Sequence, residues 1–456
     1  DKFNRMFSFD PATGQLVTAG NSVPTDLIPA VAATLPIVSA NQAGFPTKSL
    51  MYADKNNWSP RVGLALRPFG NDQTVVRLGY GMFTSMWPGL LALNATGGPW
   101  QSTQSFYIVN DQPTIQFPAP FTTTSNYSGL QSVSALDPRF PHERSQQWNV
   151  SVGRQIWKTA IDVAYVGTKI KNIPFNQDLN LLTPSTTPFD QKNLPYQLFG
   201  SVGYTQTGAS SIYHGLAIKA DRRVGRGLTF NANYTWAKAI TDANLRDYAT
   251  GYDQNQWNRS LERSDDPNIR RQILTFSYIY ELPVGKGQAF LTNASPFLNK
   301  VVSGWQVAGI TTMLTGQRLS AWFSGVDPAN TNQFGGRPDR VGDGNLSGSM
   351  RDRIETHQAI FDPSAFVVPA SGRGYYGNSA RMTLTGPGTV TWNLAASKNF
   401  YLFGERAKAQ IRCELFNAFN HPNFYGPNTD ITSSAFGLVT GANTGRRVQL
   451  TGRFDF

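Results

Sequence analysis

The 456-residue chain carries 15% charged residues and a net charge of +11, with 40% hydrophobic and 12% aromatic content. Its 42 Gly and 28 Pro favour many strands joined by turns over an all-helical chain. No apolar run reaches the roughly 18 residues of a membrane helix, the lone Cys413 excludes a disulfide framework or multi-cysteine zinc site, and the basic residues are scattered along the chain, against nucleic-acid binding.

Residues 1–57 are rich in turn signals (Asp10-Pro11, Ala19-Gly20-Asn21 and several prolines) and read as a long extracellular loop region. The chain begins at Asp1 with no basic-apolar leader, so it reads as the remainder of a longer precursor. Residues 58–456 read as a barrel portion. A first hairpin places Val62, Leu64 and Leu66 on one face and returns with Val76, Leu78, Tyr80 and Met82, joined by the link 68–72. After a long polar connection (85–143), a second hairpin turns at Trp157-Lys158, with Trp148, Val150 and Val152 answered by Ile161, Val163 and Tyr165.

Beyond a Pro- and Asn-rich loop at 169–210, Tyr213 to Arg222 and Leu228 to Ile240 form a third hairpin around Val224-Gly-Arg-Gly227. A charged loop, 241–268, precedes Arg271 to Leu282, whose two faces are both partly apolar; its partner is Gly304 to Thr315. The longest connection, 320–388, leads to Val390 to Leu402 and, through a tight turn at 401–406, to a strand read as 406–420. There Ala407, Ala409, Ile411, Cys413 and Leu415 alternate with Lys408, Gln410, Arg412 and Glu414. Cys413 reads as a small apolar residue on the charge-free face. Loop 421–445 precedes the last strand, in which Val448, Leu450, Phe454 and Phe456 alternate with Arg447, Gln449, Thr451, Arg453 and Asp455.

Alternation with period two gives each strand one uncharged face and one polar face. A polar row of Arg, Lys, Glu and Gln is too wet for the inside of a soluble sandwich. It suits a wall with lipid on one side and water or a plug on the other. About ten residues at roughly 3.3 Å rise and a tilt near 40° span on the order of 25 Å, the height of an outer-membrane apolar band. Short links alternate with long ones; with Phe456 at a periplasmic end, the shorter links fall on the periplasmic side. Arg154 and Lys398 lie on the uncharged side near those links and Lys238 at the opposite rim, depths at which long basic side chains reach water. The expected fold is therefore all-β: an antiparallel transmembrane β-barrel wall of about eleven strands with long extracellular loops, in a Gram-negative-type outer membrane.

The segments Asn57-Trp-Ser-Pro-Arg-Val-Gly63, Val76-Arg-Leu-Gly-Tyr-Gly-Met-Phe83, Tyr213-His-Gly-Leu216, Gly227 to Ile240, Asn258-Arg-Ser-Leu-Glu-Arg263, Tyr280 to Gly287, Phe361-Asp-Pro-Ser-Ala-Phe366 and Phe416-Asn-Ala-Phe-Asn-His-Pro-Asn-Phe424 resemble the C-terminal barrel of TonB-dependent outer-membrane transporters, specifically the Oar-like group. The resemblance implies a barrel of about 22 strands, of which this chain supplies about half. It also implies a plug, a box contacting a TonB-type energy-coupling protein, and transport of a large solute without covalent chemistry. Val448, Leu450, Phe454 and Phe456 look like the signal read by the barrel assembly machinery.

Lys219, Asp221, Lys408, Gln410, Arg412, Glu414, Arg447 and Arg453 are the expected lumen-facing polar residues. In the loop Asp253 to Asp266, Trp257, Arg259, Glu262 and Arg263 are candidate mouth contacts, although packing against neighbouring loops is the favoured reading. Tyr278, Tyr280, Trp236 and Phe400 suit an interfacial aromatic girdle. Gly372-Arg-Gly-Tyr-Tyr-Gly377 matches a dinucleotide glycine pattern without its strand and helix, and Asp339 to Asn345 looks like a calcium loop without its spacing or closing Glu. His142, His214, His357 and His421 form no metal-binding spacing, and no nucleophile elbow occurs. No catalysis, cofactor or metal is expected. The competing reading is a soluble, extracellular β-rich binding or adhesion protein.

Overall fold

The computed structural model describes residues 5–70, 73–86, 100, 108–109, 112–113, 130–223, 227–243, 253–402 and 407–456. Eleven strands form one continuous antiparallel path in which every strand pairs with its neighbour in sequence. They are β1 Arg61–Leu66, β2 Thr74–Ser85, β3 Glu143–Ile156, β4 Thr159–Asp178, β5 Phe199–Arg222, β6 Leu228–Thr241, β7 Gln272–Glu281, β8 Trp305–Leu314, β9 Thr389–Leu402, β10 Ala407–Phe416 and β11 Arg447–Asp455. β1 and β11 are the two edges. Two short strands join off this path: Gln131–Leu136 runs parallel to the start of β5, and Ser264–Asp265 pairs with the end of β6.

Register carries the two-faced pattern across the whole wall, because directly opposed residues share a face. One row runs Leu64↔Leu78↔Val150↔Tyr165↔Leu216↔Trp236. A parallel row on the other face runs Asp221↔Asn231↔Ser277↔Ile310↔Asn393. β7, ambiguous in sequence, is settled by its partners: Phe230↔Tyr278 places Phe276, Tyr278 and Tyr280 with the uncharged set and Ile279 with the polar one. Leu450 is 75% exposed and Ile411 59%, so among the described residues nothing covers this part of the uncharged face. The exposed apolar rows are the surface a hydrocarbon solvent would take up. Where aromatics cross this face, small residues make room; an added Cβ at Gly309 would sit 2.7 Å from the Tyr278 ring.

Charges on the uncharged face keep to the ends. Arg154 and Arg222 stand within a few residues of the links at 157–158 and 223–227, and Lys398, opposite Trp305, places its ammonium over the Phe400 ring at 5.0 Å. Lys238, at the opposite end of β6, pairs with Asp265 at 3.7 Å.

Three stretches differ from the sequence expectation. The strand read as 406–420 ends at Phe416, where Asn417 and Asn420 (both φ 52°) turn the chain. β4 and β5 run past the ends the sequence predicts, to Asp178 and back from Phe199, through register shifts at Ile170/Ile173 and Ile173/Pro174. Asn172 (φ 61°) and Gly208 (φ 148°) absorb the irregularity, and Pro174 sits where the ladder is already broken. Residues 7–50, expected as a long loop, fold into a small unit. Phe7–Asp10, Gln15–Thr18 and Ile37–Ser39 form a three-stranded sheet, and a capping box between Ser39 and Gln42 starts the short helix Ala40–Ala43. Phe7, Phe9 and Leu16 pack with Val133, Phe199 and Val202. Their hydrophobic partners lie more than a hundred residues away, which is why local turn signals dominate the sequence reading. The tight turn expected at 401–406 falls largely outside the described residues, as do 224–226, 71–72 and most of 87–129.

Candidate functional site

Since consecutive strands are antiparallel neighbours, alternate links lie at opposite ends of the wall. The links at 67–73, 157–158, 223–227, 282–304 and 403–406 share one end, and the connections 86–142, 179–198, 242–271, 315–388 and 417–446 share the other. Trp157, at φ 51°, takes the left-handed position of a two-residue turn.

At the long end the connections pack into a folded cap. Paired segments (Arg318–Leu319 with Leu384–Thr385, Phe323–Ser324 with Gly335–Gly336, Asp339–Arg340 with Phe366–Val367) and the helix Met350–Glu355 subdivide 315–388. Ile354, Ile360, Phe361, Phe366 and Leu384 form its core, and Phe436 from the next connection completes it.

A buried charge network ties the Asp253–Asp266 loop to this cap. Glu262, 3% exposed, accepts from both terminal nitrogens of Arg337 at 3.1 and 2.7 Å and lies 3.8 Å from Arg381. The backbone N–H of Gln254 also donates to Glu262 at 3.2 Å, and Arg381 donates to the carbonyl of residue 262 at 3.2 Å. Arg259 donates to Asp253 at 2.6 Å and lies 3.5 Å over the Phe175 ring of β4. Burial pushes the Asp253 carboxyl above its ordinary value and the Arg381 guanidinium below its own. Of the four candidate mouth residues, Arg259 and Glu262 are thus engaged in internal pairing, whereas Trp257 and Arg263 are exposed.

The weak motifs take structural parts. In the glycine-rich segment 372–377, Gly372 and Gly374 adopt φ of 68° and 90° in turns, and Arg373 makes a two-pronged pair with Asp339. Asp343 receives Arg340 at 2.9 Å, so the oxygen-rich stretch is held by arginines. Among the described residues no cluster of His, Cys, Asp and Glu is placed to hold a metal. Hydrogen bonds from Arg373 hold the Asp339 carboxyl below its ordinary value. This pair therefore stabilises the loop fully above an unfolded carboxyl's pKa of about 4, and its contribution fades as pH falls through the lower folded value. The amide of Asn378, which donates to Asp339 at 3.1 Å, should lose exchange protection on acidification from pH 5 towards pH 2, after correction for intrinsic rates. Asp339→Asn should flatten that dependence.

On the polar face of the wall, the eight candidate residues fall in one set. Lys219 and Asp221 oppose Asn233 and Asn231 of β6, while Lys408, Gln410, Arg412 and Glu414 oppose Asp455, Arg453, Thr451 and Gln449 of β11. Arg447 opposes Phe416 and lays its guanidinium 5.7 Å from that ring. A groove of about 420 Å³ follows this face, bounded by Asp221, Asn231, Ser277, Asn393, Arg412 and Glu414. Its charges are internally paired: Arg412 with Glu414 at 2.8 Å, and Asp221 with Arg223 at 3.2 Å, Asp221 also accepting from Asn231 at 3.1 Å. Nothing in this geometry brings a nucleophile and a base together. The groove's wall is largely apolar, with Ile279, Ala308, Ile310 and Phe416 between these polar groups. Val448, Leu450 and Phe454 stand on the opposite face, exposed, with the Phe454 and Phe456 rings 5.9 Å apart.

Sequence reasoning missed Arg337 and Arg381. A buried arginine pair has no local signature, and its partner Glu262 lies 75 residues from Arg337.

The chain is similar to several solved outer-membrane proteins. The outer membrane transporter YddB from Escherichia coli aligns over 86% of this chain and 40% of that one, at 9% identity and a TM-score of 0.46. The siderophore receptor PiuA from Acinetobacter baumannii aligns over 87% and 35%, at 11% identity and 0.41. The FrpB iron transporter from Neisseria meningitidis aligns over 87% and 38%, at 12% identity and 0.38. The chain thus spans no more than about two fifths of these proteins. No curated protein matches it. A family model described as an outer membrane beta barrel domain matches residues 1–449, in keeping with the two-faced wall, and the chain belongs to that family.

Proposed function

We propose that this outer-membrane barrel chain is the C-terminal part of a TonB-dependent transporter of the Oar-like group, moving a large solute across the outer membrane without covalent chemistry. The supporting observation is the division of labour in the wall. One face exposes Ile411, Leu450 and their register partners, the other gathers paired charges around a groove, and the longest connections (86–142, 242–271, 315–388 and 417–446) lie at one end. In this reading residues 58–456 supply wall strands, the 1–57 unit and the cap face the exterior, and the short links face the periplasm. Lys219, Asp221, Lys408, Gln410, Arg412, Glu414, Arg447 and Arg453 bound the lumen. The outward row ending at Phe456 is read by the barrel assembly machinery, and an energy-coupling protein acts through a plug-bearing region of the full protein.

Solute would be taken up first at the exposed Trp257 and Arg263, then released inward when the plug moves. Trp257→Ala with Arg263→Ala should weaken solute capture roughly tenfold or more, the range of an aromatic or arginine anchor. Glu262 and Arg259 variants would act through stability of the cap. The decisive experiment isolates the native protein from outer membranes and follows solute uptake with and without the proton gradient. Gradient-dependent uptake by a heat-modifiable, detergent-requiring protein is expected. A detergent-free, monodisperse secreted domain would overturn the proposal in favour of a binding or adhesion protein.

A further inference from the structure

The link between β7 and β8, residues 282–304, is unlike the other short-end links. It contains the helix Pro296–Val302, capped by Ser295, whose hydroxyl accepts from the Leu298 amide at 3.3 Å. At 100° per residue, Phe297, Leu298, Val301 and Val302 occupy one arc of this helix, and Asn299 and Lys300 occupy the other. The polar arc is tied back to the link: the Asn299 side-chain oxygen accepts from the Lys286 amide at 2.7 Å. Most of the apolar arc is left uncovered by the described residues, Val302 alone being half-buried. Phe297 is 80% exposed and Val301 50%, and Phe290 and Leu291 of the same link are also exposed.

What lies against this arc is indicated by its continuity with the wall. The Trp305 indole N–H donates to the carbonyl of Val301 at 3.0 Å, and Trp305 stands opposite Lys398, which in turn stands opposite Ile411, all on the uncharged face. Lys398 donates to the carbonyl of Ser303, closing the helix's C-terminal end onto that face. The exposed helix arc therefore extends the same apolar surface that the wall presents to lipid. The link carries Lys286 and Lys300 and no acidic residue between positions 282 and 304.

We propose that residues 290–302 form an interfacial anchor, lying in the headgroup region of the periplasmic leaflet with Phe297, Leu298 and Val301 in the acyl boundary and Lys286 and Lys300 toward anionic phospholipid phosphates. A basic polar side, a short apolar arc and a flanking Trp are the chemistry of helices that lie in a membrane interface. The inference rests on the orientation given under Proposed function, with short links on the periplasmic side.

The test uses the full-length protein with Cys413 and every further native cysteine replaced by Ala, carrying Phe297→Cys, Thr186→Cys or Leu450→Cys. Impermeant maleimide applied to whole cells should label Cys at 186 but not at 297, which checks orientation separately. Each variant is then labelled with an environment-sensitive fluorophore and reconstituted in phosphatidylethanolamine–phosphatidylglycerol vesicles containing spin-labelled lipids, heat-modifiable migration confirming the fold. The expected result at position 297 is at least twofold stronger quenching by shallow than by deep spin labels, the reverse order at 450, and none at 186. Absence of lipid quenching at 297, whether the probe is in water or covered by another protein, would overturn the proposal.

Discussion

Glu262→Ala should loosen the cap by about 3–5 kcal/mol, the cost of stripping one partner from a buried ion pair. Arg337 and Arg381 are each only 9% exposed, and without the carboxylate their charges would face each other in a site with no solvent to screen them. The loss should be local. Protease cleavage within 253–266 and 327–381 should rise by orders of magnitude, while heat-modifiable migration, which reports the wall, stays as in the wild type. Glu262→Gln should fall between the two, because an amide oxygen still accepts from Arg337 but brings no charge. Wild-type protease resistance in Glu262→Ala would mean that the cap is held by its apolar core around Phe361 alone.

The second large effect concerns neighbouring positions on one strand. Ile411→Arg puts a guanidinium at the middle of β10 on the uncharged face and should cost about 2–4 kcal/mol in lipid, as charged residues do near the midplane of an outer-membrane barrel. Gln410→Arg, one residue away, points to the face already carrying Arg412 and Arg453 and should cost less than about 1 kcal/mol. Reversible unfolding in urea from phospholipid vesicles separates them. Equal costs would mean that the two faces meet the same kind of solvent, against the transmembrane reading.

These two predictions also mark what the residues reveal without coordinates. Strand number, face and link alternation were legible because a period of two repeats locally in every strand, as at Ile411 and Arg412, and neighbouring strands are also neighbours in sequence. The ends of β4 and β5 were not, because Asn172, Pro174 and Gly208 interrupt the alternation at bulges and read as loop. The unit at 7–50 was missed because Phe7 and Phe9 find their cover in Val133 and Phe199. For the candidate site, the polar row of β10 was visible as a pattern. The split of the mouth residues into exposed Trp257 and Arg263 and internally paired Arg259 and Glu262 was not, since Glu262 depends on Arg337 and Arg381 arriving from a distant connection and Arg259 packs over Phe175 of β4.

The unequal sequence spacing of contacts in the wall and in the cap has a consequence for how the protein matures. Hairpins such as Val152↔Val163 close through a two-residue turn, whereas the 7–50 unit and the cap wait for pairings such as Ser8 with Leu136, 128 positions apart, and Asn330 with Ser185, 145 apart. Short loops lose little entropy on closure and zip early; distant ones close late and only once their anchors are held still. Lesions in the cap should therefore produce molecules already inserted in the membrane but ragged at the surface, and lesions in the hairpins should produce precursors that never leave the chaperones behind.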